Sequence, residues 1–519
     1  MNESKGSAAA FWSRGQELRR ALLLALALAA MLTWAKLCFQ DVVIYSLLAS
    51  LEQGDRLLDY VNLGANAISC LCFVALCLWP KVGEGMLAHR SSIALASAAA
   101  SASVLAMAWS GAGGAPNGLA VACASVLAGF GQCLLVVAYG KEASSCGVPV
   151  AIASTAGAFV LSAMMYFVMC LVPPVGVAVL TLALPVLAGA ALCARVLTDG
   201  ERDKAEPSET PRSRGEAIAG VASNGPSGDQ AEHRRIANLM ARLAVVGALG
   251  AASLELARNI YLRSGVVGGE PMGSYIVAQG LAGSAVSIIA VLIAVALLRS
   301  KREETMLKRC YRLSAFMLVL SAVTMPVSQV FDTVSPLIPL MVNTASGQCF
   351  SFFVWVMAIG MCCRYEKKVV RYYSLTRLFW VMGNLVGLVL SWAFVGGVGI
   401  SLQSVFSASA LCVLIVVISI LAVFTEHDAL NAMNVIPMER RKRFMEKCGR
   451  AIDQFGLTKR EAEVMVLMAK GNSSARIQEV LFISAPTVSS HRQHIYQKMG
   501  IHSAQEIVDK IDSLSSKEE

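Results

Sequence analysis

Twelve windows of about 19 residues in this chain are apolar enough to be membrane spans, and that repetition leaves little choice of fold. A backbone crossing hydrocarbon must satisfy its own N–H and C=O groups, so runs of this length can cross only as helices. The windows are roughly 19–40, 60–79, 91–110, 117–139, 148–171 and 175–197 in the first half. The second half supplies 236–262, 272–298, 310–331, 336–362, 374–396 and 401–424. Composition agrees: 56% of residues are hydrophobic and 15% charged, against about 25% charged in a soluble domain. Arg14, Arg19 and Arg20 before the apolar run 21–33 have the look of a secretion signal. No small-residue cleavage site stands clear and more spans follow, so an uncleaved first membrane helix is expected.

Residues 198–235 separate the halves, rich in Glu, Arg, Pro, Ser and Gly without apolar periodicity, and read as a disordered linker. Cations settle the orientation. Lys81 and Arg90 follow span two, Arg195, Arg202, Lys204, Arg212 and Arg214 follow span six, and Lys301 and Arg302 follow span eight. Arg364, Lys367 and Lys368 follow span ten, whereas the opposite loops hold only Arg56 and Arg263. Cationic loops stay cytoplasmic, which predicts a multi-pass protein of the bacterial inner membrane with both termini inside. The net charge of +9 is then loop charge, not a nucleic-acid footprint.

Six spans, a long loop and six spans are similar to the plan of the major facilitator transporters, two six-helix halves. Lys81-Val82-Gly83-Glu84-Gly85 with His89-Arg90 faintly echoes that family's loop after span two. A generic twelve-helix sensor is the other reading, because fold analogy alone gives no function.

Polar residues inside spans are costly and mark wet interiors. Lys36, Gln40 and Asp41 lie at the outer end of span one, and Asn62 and Asn66 share a face of span two. Glu255 and Arg258 are three apart in span seven, with Asn259 beside them. Two readings stand for this group: a ligand-sensing or gating element, or a structural ion pair. Gln279, Asn343, Gln348 and Asn384 are expected to make interhelical hydrogen bonds rather than ligand contacts. The 15 cysteines are scattered and lack zinc-type spacing, so reduced apolar thiols are expected; adjacent Cys362-Cys363 leaves a redox pair as the alternative. No metal site, cofactor, nucleophile–base pair or phosphate loop stands out, so catalysis is not expected.

The character of the chain changes after span twelve. Pro437 interrupts 425–455, where Arg440-Arg441-Lys442-Arg443 sits ready for anionic lipid or for DNA, and 438–454 can form an amphipathic connector helix. From Gly456 four short helices follow from local signals. Thr458 and Glu461 make a capping box, and Gly471 ends the first helix. Asn472 or Ser473 caps a second helix through Leu481, and Ser484 with Pro486 in the first turn opens a third that ends at Gly500. Ser503 and Glu506 start a fourth, which runs through Ile511.

This stretch resembles the helix-turn-helix domain of LuxR-type transcriptional regulators. The resemblance is carried by Leu457-Thr458-x-x-Glu461-x-Glu463-Val464, Gly471, Ile477, Leu481-Phe482-Ile483-Ser484, Thr487-Val488, His491, Ile495, Lys498 and Gly500. It departs at Gln478, where the family has a small Ala, and at Ser489, where it has Lys. The resemblance implies double-stranded DNA as a partner, with the third helix in the major groove. Thr487, Ser489, Ser490, Arg492, Gln493 and Lys498 are the candidate DNA contacts, and a homodimer through 504–511 the implied assembly.

The expected architecture is therefore all-α. It comprises a first six-helix half over 1–197, linker 198–235, second half 236–424, connector 425–455, helix-turn-helix 456–513 and tail 514–519. The expected function is a membrane-tethered one-component regulator whose bundle senses an unknown small molecule. The alternative is a transporter with a regulatory tail.

Overall fold

The computed structural model describes residues 3–40, 54–111, 117–205, 226–263, 272–299, 303–324, 337–363, 369–396, 402–425, 439–481 and 483–513, with single positions around 326–335 and at 428. Asp41, the linker centre 206–225, Lys301, Arg302, Arg364, Lys367, Lys368, Pro437, Phe482 and the tail 514–519 lie outside the described residues. Among the described residues every regular element is a helix. The chain divides into two units, one of residues 1–198 and 239–436, the other of 199–238 and 437–519.

The first unit opens with α1 (Glu3–Ala35), α2 (Gly54–Leu78), the short α3 (Pro80–Met86), α4 (Arg90–Gly111), α5 (Gly118–Ser145), α6 (Val148–Cys170) and α7 (Pro174–Ala205). A second set follows: α8 (Pro226–Arg263), α9 (Met272–Arg299), α10 (Glu303–Thr324), α11 (Leu337–Cys362), α12 (Val369–Gly396) and α13 (Leu402–Ile418). Ten of these helices are long and apolar enough to cross a membrane, and 277–293 within α9 is a shorter apolar stretch. The two expected windows not among the ten are those of α9 and α10. The latter begins among charged residues, and its described part runs to Thr324. The expected linker is also shortened from both sides, because α7 runs on to Ala205 and α8 starts at Pro226.

Burial in this unit is inverted relative to a soluble protein. Leu71, Leu95, Leu171, Leu292 and Leu421 are exposed on the outside, while Asn62, Glu255, Asn259, Gln279, Asn343 and Arg377 are buried within. Apolar side chains face hydrocarbon at no cost, so helix contacts rest on close packing and on hydrogen bonds between helices. Gly383 and Gly387 show the first. A Cβ at Gly383 would meet the Ala248 carbonyl oxygen at 2.1 Å, and one at Gly387 the Ala252 oxygen at 2.5 Å. This Gly-x-x-x-Gly face lets α12 press against α8 beside Glu255. Ser287 shows the second, its hydroxyl donating to the Phe159 carbonyl at 2.9 Å and tying α9 to α6 across the two sets.

The second unit carries α14 (Glu439–Gln454), α15 (Lys459–Ala469), α16 (Ser474–Leu481), α17 (Ala485–Met499) and α18 (Ala504–Ser513). The Thr458–Glu461 capping box forms in both directions, and the Ser484 side chain accepts from the Thr487 N–H. Gly471 (φ 78) and Gly500 (φ 63) take the left-handed conformation that ends α15 and α17. Ala462, Val464, Leu467, Ile477, Val488, Ile495, Ile507 and Ile511 close one apolar core. Cys448, Ala451 and Ile452 of α14 belong to the same core, so the connector helix is built into this unit and is not a free relay. The second unit accordingly takes in 437–455 as well as the stretch from 456.

Candidate functional site

The first unit encloses a cavity of about 260 Å³. Its walls come from the first, second, fourth and fifth long helices of each set: α1, α2, α5 and α6, then α8, α9, α11 and α12. Sites at the interface of two repeats are how bundles of this plan bind small molecules.

Of the six candidate ligand-sensing residues, Lys36, Asn62, Asn66, Glu255, Arg258 and Asn259, all but the last line this cavity. Lys36 lies in a π-helical turn, Lys36–Gln40, that extends α1, and its Nζ sits 4.0 Å above the Tyr166 ring. Asn66 Nδ2 donates to Asn62 Oδ1 at 2.6 Å, one turn apart on α2. Arg258 donates to both oxygens of Glu255, from Nε at 3.1 Å and from a terminal nitrogen. Asn259, the sixth, stands behind them and donates to a Glu255 oxygen at 2.9 Å. The ion pair and the cavity lining are thus one feature. The choice between a structural bridge and a ligand contact does not separate them.

Gln279 and Asn343 make the interhelical bonds expected of them. Thr344 donates to Gln279 Oε1 at 2.7 Å, and Ser321 to Asn343 Oδ1 at 2.6 Å. Both also line the cavity, as do Gln348 and Asn384.

Sequence reasoning passed over Arg377. It is 4% exposed, on α12, and lines the cavity with its guanidinium carbon 3.8 Å from the centre of the Trp355 ring. Its Nε and Nη2 are buried without a hydrogen-bond partner. The signal was available: a cation within an apolar window and no acid three or four residues away.

Cys362 is buried and Cys363 half-buried, both as free thiols. Among the described residues no group of His, Cys, Asp or Glu is arranged to hold a metal.

In the second unit α17 presents Pro486, Thr487, Ser489, Ser490, Gln493, His494 and Gln497 outward, at three- and four-residue spacing, while Val488, Ile495 and Met499 face the core. The Thr487 hydroxyl is 2.7 Å from that of Ser484, within the cap. The two cations among the candidate contacts are held by protein partners. Arg492 donates to Ser474 Oγ at 2.9 Å and to the Tyr496 hydroxyl at 3.1 Å, locking α17 to α16. Lys498 donates to Glu461 at 2.6 Å and to the Gly456 carbonyl at 3.2 Å. Burial pushes the Glu461 pKa up, but the bonds from Lys498 and Thr458 outweigh it and hold the carboxyl below its usual range. The outward face of α17 is left polar and short of positive charge. On α18, Ile507 and Ile511 are buried in the core, leaving Gln505 and Asp509 exposed.

An all-helical bundle with a cavity between its helices and a capped helix-turn-helix unit are thus the two parts of this chain. Comparison with known proteins bears on each part. Residues 456–511 match the family described as bacterial regulatory proteins, luxR family. Over 53 residues the chain is 45% identical to the oxygen regulatory protein NreC of Staphylococcus aureus strain JH9, a stretch that is 10% of this chain and 24% of that protein. The chain thus spans about a quarter of the length of the curated relatives it matches. In structure the chain is similar to a bacterial homologue of the iron transporter ferroportin in an outward-facing state, with a TM-score of 0.52, 12% identity, and coverage of 80% of this chain and 99% of that one. The same homologue soaked with iron gives 0.51, also at 12% identity, with the same coverage. At such identity the likeness is one of fold alone. These likenesses point to a DNA-binding regulator and a transporter fold, not to an enzyme family.

Proposed function

We propose that this chain is a membrane-tethered one-component transcriptional regulator in which a small molecule, bound in the bundle cavity, controls DNA binding by the LuxR-type domain. The observation that carries this reading is the coexistence in one chain of a ligand-sized polar cavity and an intact, separately cored helix-turn-helix unit. The bundle has twelve spans in two sets of six, lies in the bacterial inner membrane and keeps both termini in the cytoplasm, as the loop cations favour. The LuxR-type domain is a set of four helices, α15 to α18, braced by α14, and 198–235 links the two halves of the bundle.

Thr487, Ser489, Ser490 and Gln493 read base edges in the major groove. Arg492 and Lys498 fix the angle at which α17 is presented. Phosphate contacts supply most of the affinity for DNA, so a face with few free cations binds weakly as a monomer. Pairing of two copies through 504–511 then raises occupancy on a two-fold site. Bound ligand favours one bundle conformation and thereby the presentation of paired domains, which requires different affinity for the two states. Full-length protein in lipid nanodiscs, mixed with sheared genomic DNA of its host, should retain a small set of fragments at low salt and release them at high salt. Retention of no fragment above a Ser489→Asp/Gln493→Ala control would sink the DNA-binding half of this reading.

A second reading draws on the likeness in fold to a transporter: the bundle also moves its ligand. Uptake into proteoliposomes that is lost in Glu255→Gln, while DNA retention is unchanged, would favour transport.

A further inference from the structure

The cavity's charge identifies the chemical class of its occupant. Among the described lining residues there are three cations, Lys36, Arg258 and Arg377, and one carboxylate, Glu255. Glu255 is taken by Arg258 in a two-pronged pair supported by Asn259. Lys36 rests against the face of the Tyr166 ring. Arg377 stands apart. Its charge is buried beside Trp355, and two of its donor nitrogens have no acceptor. Trp34, another lining residue, also buries its indole Nε1 without a partner.

A buried guanidinium without a counterion is among the costliest arrangements a protein can hold, and within a membrane such residues face functional sites. Unmet donors of this kind await an acceptor that carries negative charge, and the flat fork of arginine matches the two oxygens of a carboxylate. The remaining wall is apolar and aromatic, with Phe39, Phe73, Phe159, Trp355 and Trp380 around the space. A volume of about 260 Å³ holds roughly nine waters at ~30 Å³ each, or one compact organic molecule. We propose that the cavity binds a small organic anion, its acidic group on Arg377 and its apolar body between the aromatic walls. This rests on the cavity being the sensing site, and it adds the charge of what is sensed. Inorganic phosphate meets the charge but not the walls.

The test uses the full chain in nanodiscs with benzoate and hexanoate as probes, their amides as neutral matches, and inorganic phosphate. Binding is read by tryptophan fluorescence, since Trp34, Trp355 and Trp380 line the space. The acids should bind at least about tenfold more tightly than the amides, and phosphate should bind more weakly than either acid. Arg377→Met should weaken acid binding on the order of 10- to 100-fold and leave the amides unchanged. It should also raise the melting temperature of the ligand-free protein, because an unpaired buried charge has gone. Arg377→Lys, which keeps charge without the fork, should fall between.

Amides that bind as well as acids, or acid binding unchanged in Arg377→Met, would overturn the anion assignment while leaving a sensing cavity. A lower ligand-free melting temperature in Arg377→Met would overturn it too, showing a structural cation held by Trp355. No binding by acids, amides or phosphate would overturn the sensing cavity itself.

Discussion

The two units treat charge in opposite ways. In the helix-turn-helix unit the buried carboxylate Glu461 has Lys498 and Thr458, Glu463 has Arg460, and Arg492 has Ser474 and Tyr496. The apolar core beneath them is closed. In the bundle, polar groups surround an open space, and at least one cation within it is unmet. A domain whose groups satisfy one another has one preferred shape and gains little by changing it. A domain that leaves donors unmet gains free energy when something arrives to meet them, and that gain can shift its conformation. Under the proposed function, this difference suits one unit to readout and the other to response.

The largest effect that would sharpen this contrast lies in the closed core. Ile452 is 2% exposed and comes from α14, not from the four helices of the LuxR match. Ile452→Ala should cost the second unit about 3 kcal/mol, within the usual range for isoleucine truncation, read from denaturant melts of residues 437–519. A cost under ~0.5 kcal/mol would return α14 to the role of a loose connector.

The bundle has its own tight places, and Gly383 is one. The Cβ introduced by Gly383→Ala meets the Ala248 backbone, which cannot rotate away. The expected loss is about 2 kcal/mol, seen as a lowered melting temperature in detergent. Because the crossing sets the distance from α12 to α8, the same variant should weaken ligand binding. Unchanged stability would mean that the hollow bundle yields at its crossings as well as at its cavity.

How much of this was legible in the residues depends on the range over which each signal acts. Thr458, Glu461, Ser484, Gly471 and Gly500 act within a turn, and the caps and left-handed ends stand where the sequence placed them. Spans are also local, being decided by about 20 residues of composition, and ten of the twelve expected windows are helices long and apolar enough to cross, those of α9 and α10 being the exceptions. The cavity is different. Lys36, Asn62, Glu255 and Arg377 meet only through packing of helices far apart in sequence, so periodicity within one span cannot say which residues share a wall. The use of Lys498 was hidden for the same reason: its partner Glu461 lies 37 residues away. Arg377 is hidden in the sequence because one cation barely lowers the average hydropathy of the window 374–396.

Glu461 tests the satisfied side of the contrast through pH. Its carboxyl is held below the usual range in the folded domain, so its contribution is fully present above the unfolded-state value and is lost as pH falls through the folded one. Glu461→Ala should cost about 2 kcal/mol at neutral pH, from the cap and the Lys498 bond together. The variant and the parent should converge in stability on acidification below the ordinary glutamate range of about 4.3. A gap that stays constant down to strongly acidic pH would show that the loss was one of packing, not of charge.

The smallest expected effect joins the bundle's cavity helix to the segment that follows its last span. Asp428 accepts two bonds from Arg242 of α8, at 2.9 and 3.0 Å, and two more from Thr425. Burial pushes its pKa up, while the bonds from Thr425 and Arg242 outweigh it and hold the carboxyl below its usual range. Arg242 is half-exposed, so the pair contributes little to stability, and Asp428→Asn should cost less than about 1 kcal/mol. Its value lies in its position. Thirteen residues along the same helix, about 20 Å at 1.5 Å per residue, stands Glu255 in the cavity wall. If a ligand shifts α8, Asp428 is where that shift reaches the chain leading towards 437. Asp428→Asn should therefore leave ligand affinity within about twofold and reduce the ligand-dependent change in DNA retention severalfold. Equal loss of both would make the pair a prop for the cavity; loss of neither would place the link between response and readout elsewhere in the bundle.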